Sequence, residues 1–105
     1  MARLEKEAQK AILQYLQLRR IFHWRNNTGA MVVGEGTASR RFLKFGTEGS
    51  PDIFILKEGV LIGLEVKSDT GKQNDAQLEF QKNMEKNGGK YFVVRAVDEV
   101  QAILK

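Results

Sequence analysis

The sequence predicts a mixed α/β fold in which a central β-sheet is flanked by helices. Three observations carry this prediction. Apolar residues recur at helical spacing over residues 3–19, two short apolar runs at 52–56 and 60–66 meet at a tight turn, and a second helical pattern precedes the run YFVVR at 91–95. The chain has 105 residues, of which 42% are apolar, enough for one core. We expect a single domain spanning residues 1–105.

The N-terminal part of the sequence predicts one helix followed by short strands. The residues at helical spacing are Leu4, Ala8, Ala11, Ile12, Tyr15 and Leu16. The run IFHWR at 21–25 is rich in aromatic and β-branched residues, which favours a first strand. Glycines punctuate the next stretch, in which we expect two short strands near 30–33 and 42–45.

The segment SPDIFILKEGVLIGLEVKS, residues 50–68, predicts a hairpin at the centre of the sheet. Its apolar runs are continuous rather than alternating, so we expect both faces of both strands to be covered. With the EG dipeptide as a two-residue turn, Asp52 lies opposite Glu65. A four-residue loop keeps this register, whereas a three-residue loop with a glycine bulge breaks it. Lys67 lies on the same face as Glu65, because side chains alternate along a strand.

The opposed carboxylates of Asp52 and Glu65 require a compensating partner. Like charges that face each other across two strands destabilise the pair, and two half-buried carboxylates either share a proton or hold a cation. Lys67 can neutralise one carboxylate, whereas a divalent ion neutralises both. Hard oxygen ligands without Cys or His favour Mg²⁺ or Mn²⁺ over Zn²⁺. The alternative is that Asp52 simply begins a strand after Pro51 and that Glu65 and Lys67 form an ordinary charged pair.

The last third of the sequence predicts a helix, a strand and a short helix. The run TGKQNDAQ, from residue 70, opens a helix that continues to about Asn87. Asn74 and Gln77 have the spacing of a capping box, so Gln77 closes the helix N-terminus, faces the strand that carries the charges, or does both. Asp98 and Gln101 have the same capping-box spacing, which predicts that Asp98 caps the N-terminus of the last helix.

Two short motifs in this chain resemble the PD-(D/E)XK nuclease signature, with PD at 51–52 and EVK at 65–67. The order of the surrounding segments, a first helix with acidic residues, WRNNTG, a glycine-rich run into GSPD, and EVKSDTGKQNDAQLEF, is similar over nearly the whole chain to the viral-type replication and repair nuclease (VRR-NUC) family in its small stand-alone form. The resemblance implies a restriction-endonuclease-like mixed sheet with flanking helices and an αβββαβ core. It also implies dependence on Mg²⁺ or Mn²⁺ and hydrolysis of phosphodiester bonds.

The resemblance implies roles for individual residues. Asp52 and Glu65, with the main-chain carbonyl of Val66, would bind the ion that polarises the scissile phosphate and activates water. Lys67 would orient that water or stabilise the charge that builds on the phosphate. Gln77 would join the same catalytic site.

The family also places a glutamate of the first helix at the metal. We expect this residue to be Glu7, because it lies about 60° from Leu4 on a helical projection, at the border of the apolar stripe, while Glu5 flanks the opposite border. The alternative is that Glu7 is a solvated carboxylate of the first turn, favoured there by the helix dipole.

The charge balance suits a polyanionic partner, since 17 lysines and arginines oppose 13 aspartates and glutamates for a net charge of +4. The candidate DNA-binding residues are Arg25, Asn27, Arg40, Arg41, Lys44, Lys72 and Gln73. Taken singly, each is as compatible with an ordinary solvated side chain. As a cluster they favour binding to the phosphate backbone without base readout.

Several other classes of protein are disfavoured by the sequence. There is no cysteine, and therefore neither a disulfide framework nor a thiolate metal site. No apolar run approaches the roughly 20 residues that span a bilayer. The lone GEG at 34–36 lacks the setting of a nucleotide-binding loop, so we expect no nucleotide cofactor. We expect an intracellular protein without a membrane partner, in the cytoplasm of a bacterium or of a phage-infected cell.

Together these observations predict a Mg²⁺- or Mn²⁺-dependent, structure-selective DNA endonuclease with little sequence preference. The resemblance points to branched DNA such as four-way (Holliday) junctions, to a role in DNA repair and to a homodimer. The alternatives are a catalytically inactive nucleic-acid-binding domain of the same fold, or a nuclease that acts on flaps or RNA. A sequence-specific restriction enzyme and a nonenzymatic assembly protein are less compatible with the small size and the acidic strand ends.

Overall fold

The computed structural model describes residues 4–34, 36 and 40–105 of the chain. Its helices and strands follow the predicted order. The helices are α1 (Glu5–Leu18), α2 (Asp75–Lys86) and α3 (Val97–Ile103). The strands are β1 (His23–Arg25), β2 (Gly29–Val33), β3 (Arg41–Phe45), β4 (Ile53–Lys57), β5 (Val60–Val66) and β6 (Lys90–Val94). The prediction of a mixed α/β fold is confirmed.

The strands form two sheets. The larger sheet has the order β1-β4-β5-β6, in which β1, β4 and β5 are antiparallel neighbours and β6 is parallel to β5. The hairpin β4–β5 lies at its centre, as predicted. Within the described part of the chain, strands β2 and β3 pair only with each other and form a separate two-stranded ribbon.

The register of the central hairpin is the one that a two-residue turn predicts. Ile53 lies opposite Leu64, and Lys57 lies opposite Val60. The turn residues, at positions 58 and 59, both have positive φ, 52° and 81°. Positive φ at both central residues is the signature of a type I′ turn, whose twist matches that of the strands it joins. Local turn chemistry therefore fixes which residues face each other across the hairpin.

Helices α1 and α3 cover one face of the larger sheet and enclose the core. The α1 stripe consists of Ala8, Ile12 and Leu16, all at most 2% exposed. It packs in one cluster with Ile53, Ile55, Ile62, Leu64, Val66, Val94 and Val100. Full burial of a side chain such as leucine or isoleucine contributes about 1.5–3 kcal/mol.

The opposite face of the sheet is covered only in part, which corrects the expectation that both strands of the hairpin are buried on both faces. Helix α2 lies over β5 and β6, where Phe80 contacts Tyr91 at 6.3 Å between ring centroids. It leaves the outer face of β4 open, so Leu56 is 43% exposed. The expectation is confirmed for β5, in which residues 62–66 are all buried, and is wrong for β4.

The start of the last helix also differs from the prediction. Helix α3 begins at Val97 with Ala96 as its N-cap, and no side chain caps it. Asp98 thus lies inside the first turn. Glu99 accepts a hydrogen bond from the backbone N–H of Arg95 at 2.9 Å, so a carboxylate reaches back past the cap residue.

No helix in the described part of the chain has both the length and the hydropathy to cross a bilayer.

The loop before β4 packs tightly on the first turn of α2 through a glycine. Gly49 has φ +83°, and a Cβ built at this position would lie 2.2 Å from the carbonyl oxygen of Ala76. Only glycine allows both the backbone conformation and the close approach. The contact fixes the loop that leads into Pro51 and Asp52.

We predict that Gly49→Ala destabilises the fold by about 2–4 kcal/mol, because it combines an unfavourable φ with a steric overlap. Gly59→Ala is the matched control. Gly59 has a similar φ of +81°, but nothing lies within 4 Å of its Cβ position, so the cost is about 1–2 kcal/mol. Urea unfolding of both variants measures the difference. Equal losses of stability in the two variants would show that the loop at Gly49 is not in tight steric contact with helix α2.

Candidate functional site

Asp52 and Glu65 meet at the ends of the two central strands. Asp52 immediately precedes β4, and its Oδ2 accepts a hydrogen bond of 2.8 Å from the backbone N–H of Val66. The carbonyl oxygen of Asp52 accepts a further bond of 2.7 Å from the backbone N–H of Asn26. Asp52 is therefore held on both sides, by β5 and by the segment after β1. The neighbouring Glu65 side chain is only 3% exposed.

Burial and the adjacent Asp52 carboxylate favour a state in which the two carboxyl groups hold one proton between them. Burial raises the pKa of Glu65 from its ordinary value of 4.5 to about 9, and the hydrogen bond and negative charge of Asp52 act in the same direction. Glu5 adds a smaller effect of the same sign, while Lys67 opposes it. Glu65 thus keeps its proton at neutral pH and bonds to Asp52. This is one of the two states that chemistry allows for opposed carboxyl groups.

Gln77 performs both of the functions that its position in the sequence allows. Its backbone N–H donates to Asn74 Oδ1 at 2.9 Å and its Oε1 accepts from the backbone N–H of Asn74 at 3.0 Å, which completes the capping box of α2. Its Nε2 also donates to Glu65 Oε1 at 3.1 Å. The start of α2 and the carboxyl pair are therefore joined by one side chain.

A cavity of about 440 Å³ opens beside the carboxyl pair. Its walls come from α1, from the β2–β3 ribbon, from the loop before β4 and from the start of α2. The charged residues that line it are Glu5, Lys44, Glu48, Asp52 and Glu65. Acidic side chains therefore predominate at its centre, and one lysine projects from the ribbon.

The glutamate of α1 at this cavity is Glu5, not Glu7 as predicted from the sequence. Glu7 is exposed and lines a different depression, next to Ala96 and Asp98. The choice depended on Leu4 as part of the buried stripe, but Leu4 is the N-cap and is 60% exposed. With the stripe defined by the buried residues of α1, Glu5 falls within its arc, one turn ahead of Ala8, and Glu7 lies about 100° from Ala8 on the other side.

Lys67 and Val66 complete the predicted motif. Lys67 follows β5 directly, and its backbone N–H donates to the carbonyl of Val94 at 3.0 Å. Its ammonium group lowers the pKa of Glu65, which places its charge near that carboxyl, although Lys67 is not among the residues that line the cavity. The Val66 side chain is buried in the core, so only its backbone faces the site.

The predicted DNA-binding residues are divided among several places. Lys44, on β3, lines the cavity. Gln73 is half-buried and donates from Nε2 to Gln81 Oε1 at 2.8 Å, so it supports the α2 region. The remaining ones, Arg25, Asn27, Arg40, Arg41 and Lys72, are exposed. The structure thus brings one of the seven to the carboxyl pair.

Two polar residues matter to the site without having been singled out for it. Asn26 donates from Nδ2 to Ser50 Oγ at 2.8 Å and to the carbonyl of Pro51 at 2.9 Å, and so fastens the residues before Asp52. The sequence alone gave no signal for this role, because the pairing of β1 with β4 was not predicted. Tyr91 is 2% exposed, and burial with the nearby charge of Glu65 raises the pKa of its hydroxyl.

The donor set of the cavity fits a hard divalent cation. Asp52 and Glu65 supply adjacent carboxyl oxygens, and a cation would replace the proton that they share. Glu5 lines the same space. Across residues 4–34, 36 and 40–105, no cluster of three or more His, Cys, Asp or Glu side chains has the arrangement of a complete metal site. Two carboxylates with backbone or water oxygens are a typical set for Mg²⁺.

Comparisons of the chain with protein-family models, with curated proteins and with solved structures found no match.

We predict that the metal-free protein loses stability as the pH rises from about 4.5 to about 9. Glu65 keeps its proton in the folded protein over this window and releases it in the unfolded chain. The unfolded state then binds fewer protons, so stability falls with rising pH. In a chelating buffer, the melting temperature should decrease from about pH 5 to pH 9 by at least about 5 °C more than in Glu65→Gln. An equal decrease in both proteins would contradict the shared proton.

Proposed function

We propose that this chain is a divalent-metal-dependent DNA endonuclease of the VRR-NUC type. The observation that carries the proposal is that Asp52 and Glu65 lie together at the ends of two central strands. They line an open cavity, and the charge of Lys67 acts on Glu65. A purely structural carboxyl pair at a strand end has no need of a cavity of this size. Buried carboxyl groups with shifted pKa values in a cleft are characteristic of catalytic sites.

The arrangement of the elements supports the restriction-endonuclease-like version of the mixed sheet. If the β2–β3 ribbon is treated as an insertion and the last helix, α3, as an addition, the other elements follow one another as α1, β1, β4, β5, α2 and β6. This is the αβββαβ order that the sequence resemblance implies. The motif residues lie at the end of the central hairpin.

Asp52 and Glu65 would hold the ion, which when bound supplies Lewis-acid activation of the phosphate and of water. The Val66 N–H keeps the Asp52 carboxylate in place, and the Gln77 amide orients Glu65. Both anchors exist before substrate binds, which reduces the reorganisation needed during the reaction. Loss of the Glu65 proton accompanies metal binding, because a ligating carboxylate is ionised.

Lys67 contributes positive charge where the phosphate becomes more negative. It stands two residues beyond Glu65, and its influence on the Glu65 pKa indicates that its charge reaches the carboxyl pair. An ammonium group in this place stabilises the transition state or orients the attacking water. Lys44, which lines the same cavity, is suited to a phosphate next to the scissile one.

The substrate that we propose is branched DNA, and the active form a homodimer. Lys44, Arg40 and Arg41 belong to the ribbon and the segment before it, and they supply contacts to phosphates without base readout. A four-way junction has two equivalent strands to cut, and two cuts require two sites, which a symmetric dimer provides. Both statements rest on the sequence resemblance.

A cleavage assay tests the reaction. The protein is incubated with labelled four-way junction, splayed arm, linear duplex or single-stranded RNA, each in Mg²⁺, Mn²⁺ or a chelator. We expect cleavage of branched DNA that requires metal and falls by about 100-fold or more in Asp52→Asn and Lys67→Ala. Asp75→Asn and Lys82→Ala alter exposed residues of α2 and serve as controls of equal charge change. Binding without cleavage under every condition would favour the inactive nucleic-acid-binding alternative.

The double function of Gln77 is tested by two variants of the capping box. Gln77→Glu keeps an acceptor for the Asn74 N–H but removes the amide donor to Glu65, so we expect stability within about 1 kcal/mol of the native protein and cleavage reduced by about 10-fold or more. Asn74→Ala removes the cap and should cost about 1 kcal/mol with little loss of cleavage well below the melting temperature. Full activity in Gln77→Glu would remove Gln77 from the catalytic site.

A further inference from the structure

The face of the sheet that carries Glu65 continues into an exposed aromatic stripe. Phe54 pairs with Gly63, two residues before Glu65, so Phe54 and Glu65 share a face. Trp24 of β1 lies opposite Phe54, with ring centroids 5.5 Å apart, and Phe22 contacts Trp24 edge-on at 6.0 Å. Trp24 is 42% exposed and Phe22 66%. Aromatic rings are therefore open to solvent next to the proposed reaction site.

A second cavity, of about 390 Å³, lies between this stripe and helix α2. Its floor and inner wall are apolar, formed by Phe54, Leu61, Phe80 and Met84. Its remaining lining residues are Gly59, Asn83, Asn87, Gly88 and Gly89. Within the described part of the chain, no charged side chain contributes to this lining.

This composition matches the chemistry of a nucleobase. Each base has two flat faces that stack on aromatic rings, and an edge of hydrogen-bond donors and acceptors that amides satisfy. A phosphate would need positive charge or several N–H donors, and this lining offers no cation. The size falls in the range of about 300–1,000 Å³ that small ligands occupy.

We propose that this cavity, together with the aromatic stripe that shares Phe54 with it, binds unpaired bases of the strand that is cut. The inference rests on the proposed nuclease function and narrows its substrate class. Base pairs inside a continuous duplex have no free face to offer an aromatic stripe. The cavity extends from Phe54 towards the hairpin turn, away from Asp52 and Glu65. The favoured DNA is therefore one in which nucleotides a few positions from the scissile phosphate are unpaired, as at a branch point or a flap.

The stripe contains the only tryptophan of the sequence, which gives a direct signal. In a chelating buffer, where no cleavage occurs, Trp24 fluorescence should be quenched by a thymidine oligonucleotide. An abasic oligomer of equal length, which has the same phosphates without bases, should leave the fluorescence unchanged, as should a blunt duplex. Unchanged fluorescence with all three, together with equal affinity for the thymidine and abasic oligomers, would overturn the proposal.

Variants separate base binding from phosphate binding, with anisotropy of labelled oligonucleotides as the measurement. Trp24→Leu and Asn83→Ala should each weaken binding of the thymidine oligonucleotide by about 10-fold while binding of the abasic oligomer stays the same. Lys44→Ala should weaken both equally. Gln101→Ala, at an exposed position of α3, is the control. Asn83→Ala tests the cavity without altering an aromatic contact, should Trp24→Leu fold poorly.

The alternative to nucleobases on this aromatic stripe is a second copy of this chain. Sedimentation of Trp24→Leu and of the native protein at the same concentration distinguishes the two. Equal sedimentation supports base binding, whereas a smaller species in the variant would make the stripe an interface between copies and overturn the proposal.

Fluorescence quenching without metal-dependent cleavage would uphold base binding in the cavity and reject the nuclease function. Cleavage without quenching or base preference would do the reverse.

Discussion

The hydrogen bond from the Val66 amide to the Asp52 carboxylate is the interaction on which the rest of the site depends. It continues the pairing of β4 with β5 one step beyond Ile53 and Leu64, which are buried in the core. The same register therefore sets both the packing of the sheet and the position of the carboxyl pair. A slip of one residue would turn core side chains to solvent and separate Asp52 from Glu65. Stability and chemistry are under one geometric constraint.

Helix α2 stabilises the pair from above the sheet. Its first turn is fixed by its own capping box and by the close contact of Gly49 with Ala76. The hydrogen bond from Gln77 then holds the Glu65 carboxyl group in place. The cost of a buried carboxyl group is thereby offset by one hydrogen bond from Gln77 and one with Asp52, which is how folded proteins tolerate such groups. The site is built from short local contacts around a long-range strand pair.

The parts of the molecule that could be predicted are those that local sequence determines. The EG turn and two apolar runs were sufficient for the register of β4 and β5, and the spacing of Asn74 and Gln77 was sufficient for the capping box. The burial of a whole strand face could not be predicted, because an apolar run has the same sequence pattern whether or not a helix covers it. Leu56 is exposed for that reason.

The choice between Glu5 and Glu7 was wrong for a related physical reason. The stripe of α1 was extended to Leu4, and a helix end obeys capping geometry rather than periodicity. The pairing of β2 with β3 alone was equally hidden, since glycine-rich connections do not indicate which strands are neighbours. Tertiary contacts decided both.

The separate pairing of β2 and β3 divides the cavity between two structural units. Lys44 lies on the ribbon, while Asp52 and Glu65 belong to the four-stranded sheet, and among residues 4–34, 36 and 40–105 no strand pairing joins the two sheets. Insertions or charge changes in the ribbon therefore leave the carboxyl register intact. The molecule is modular in this respect, because residues of one cavity wall can be exchanged without altering the strand pairing that sets the opposed carboxyl groups.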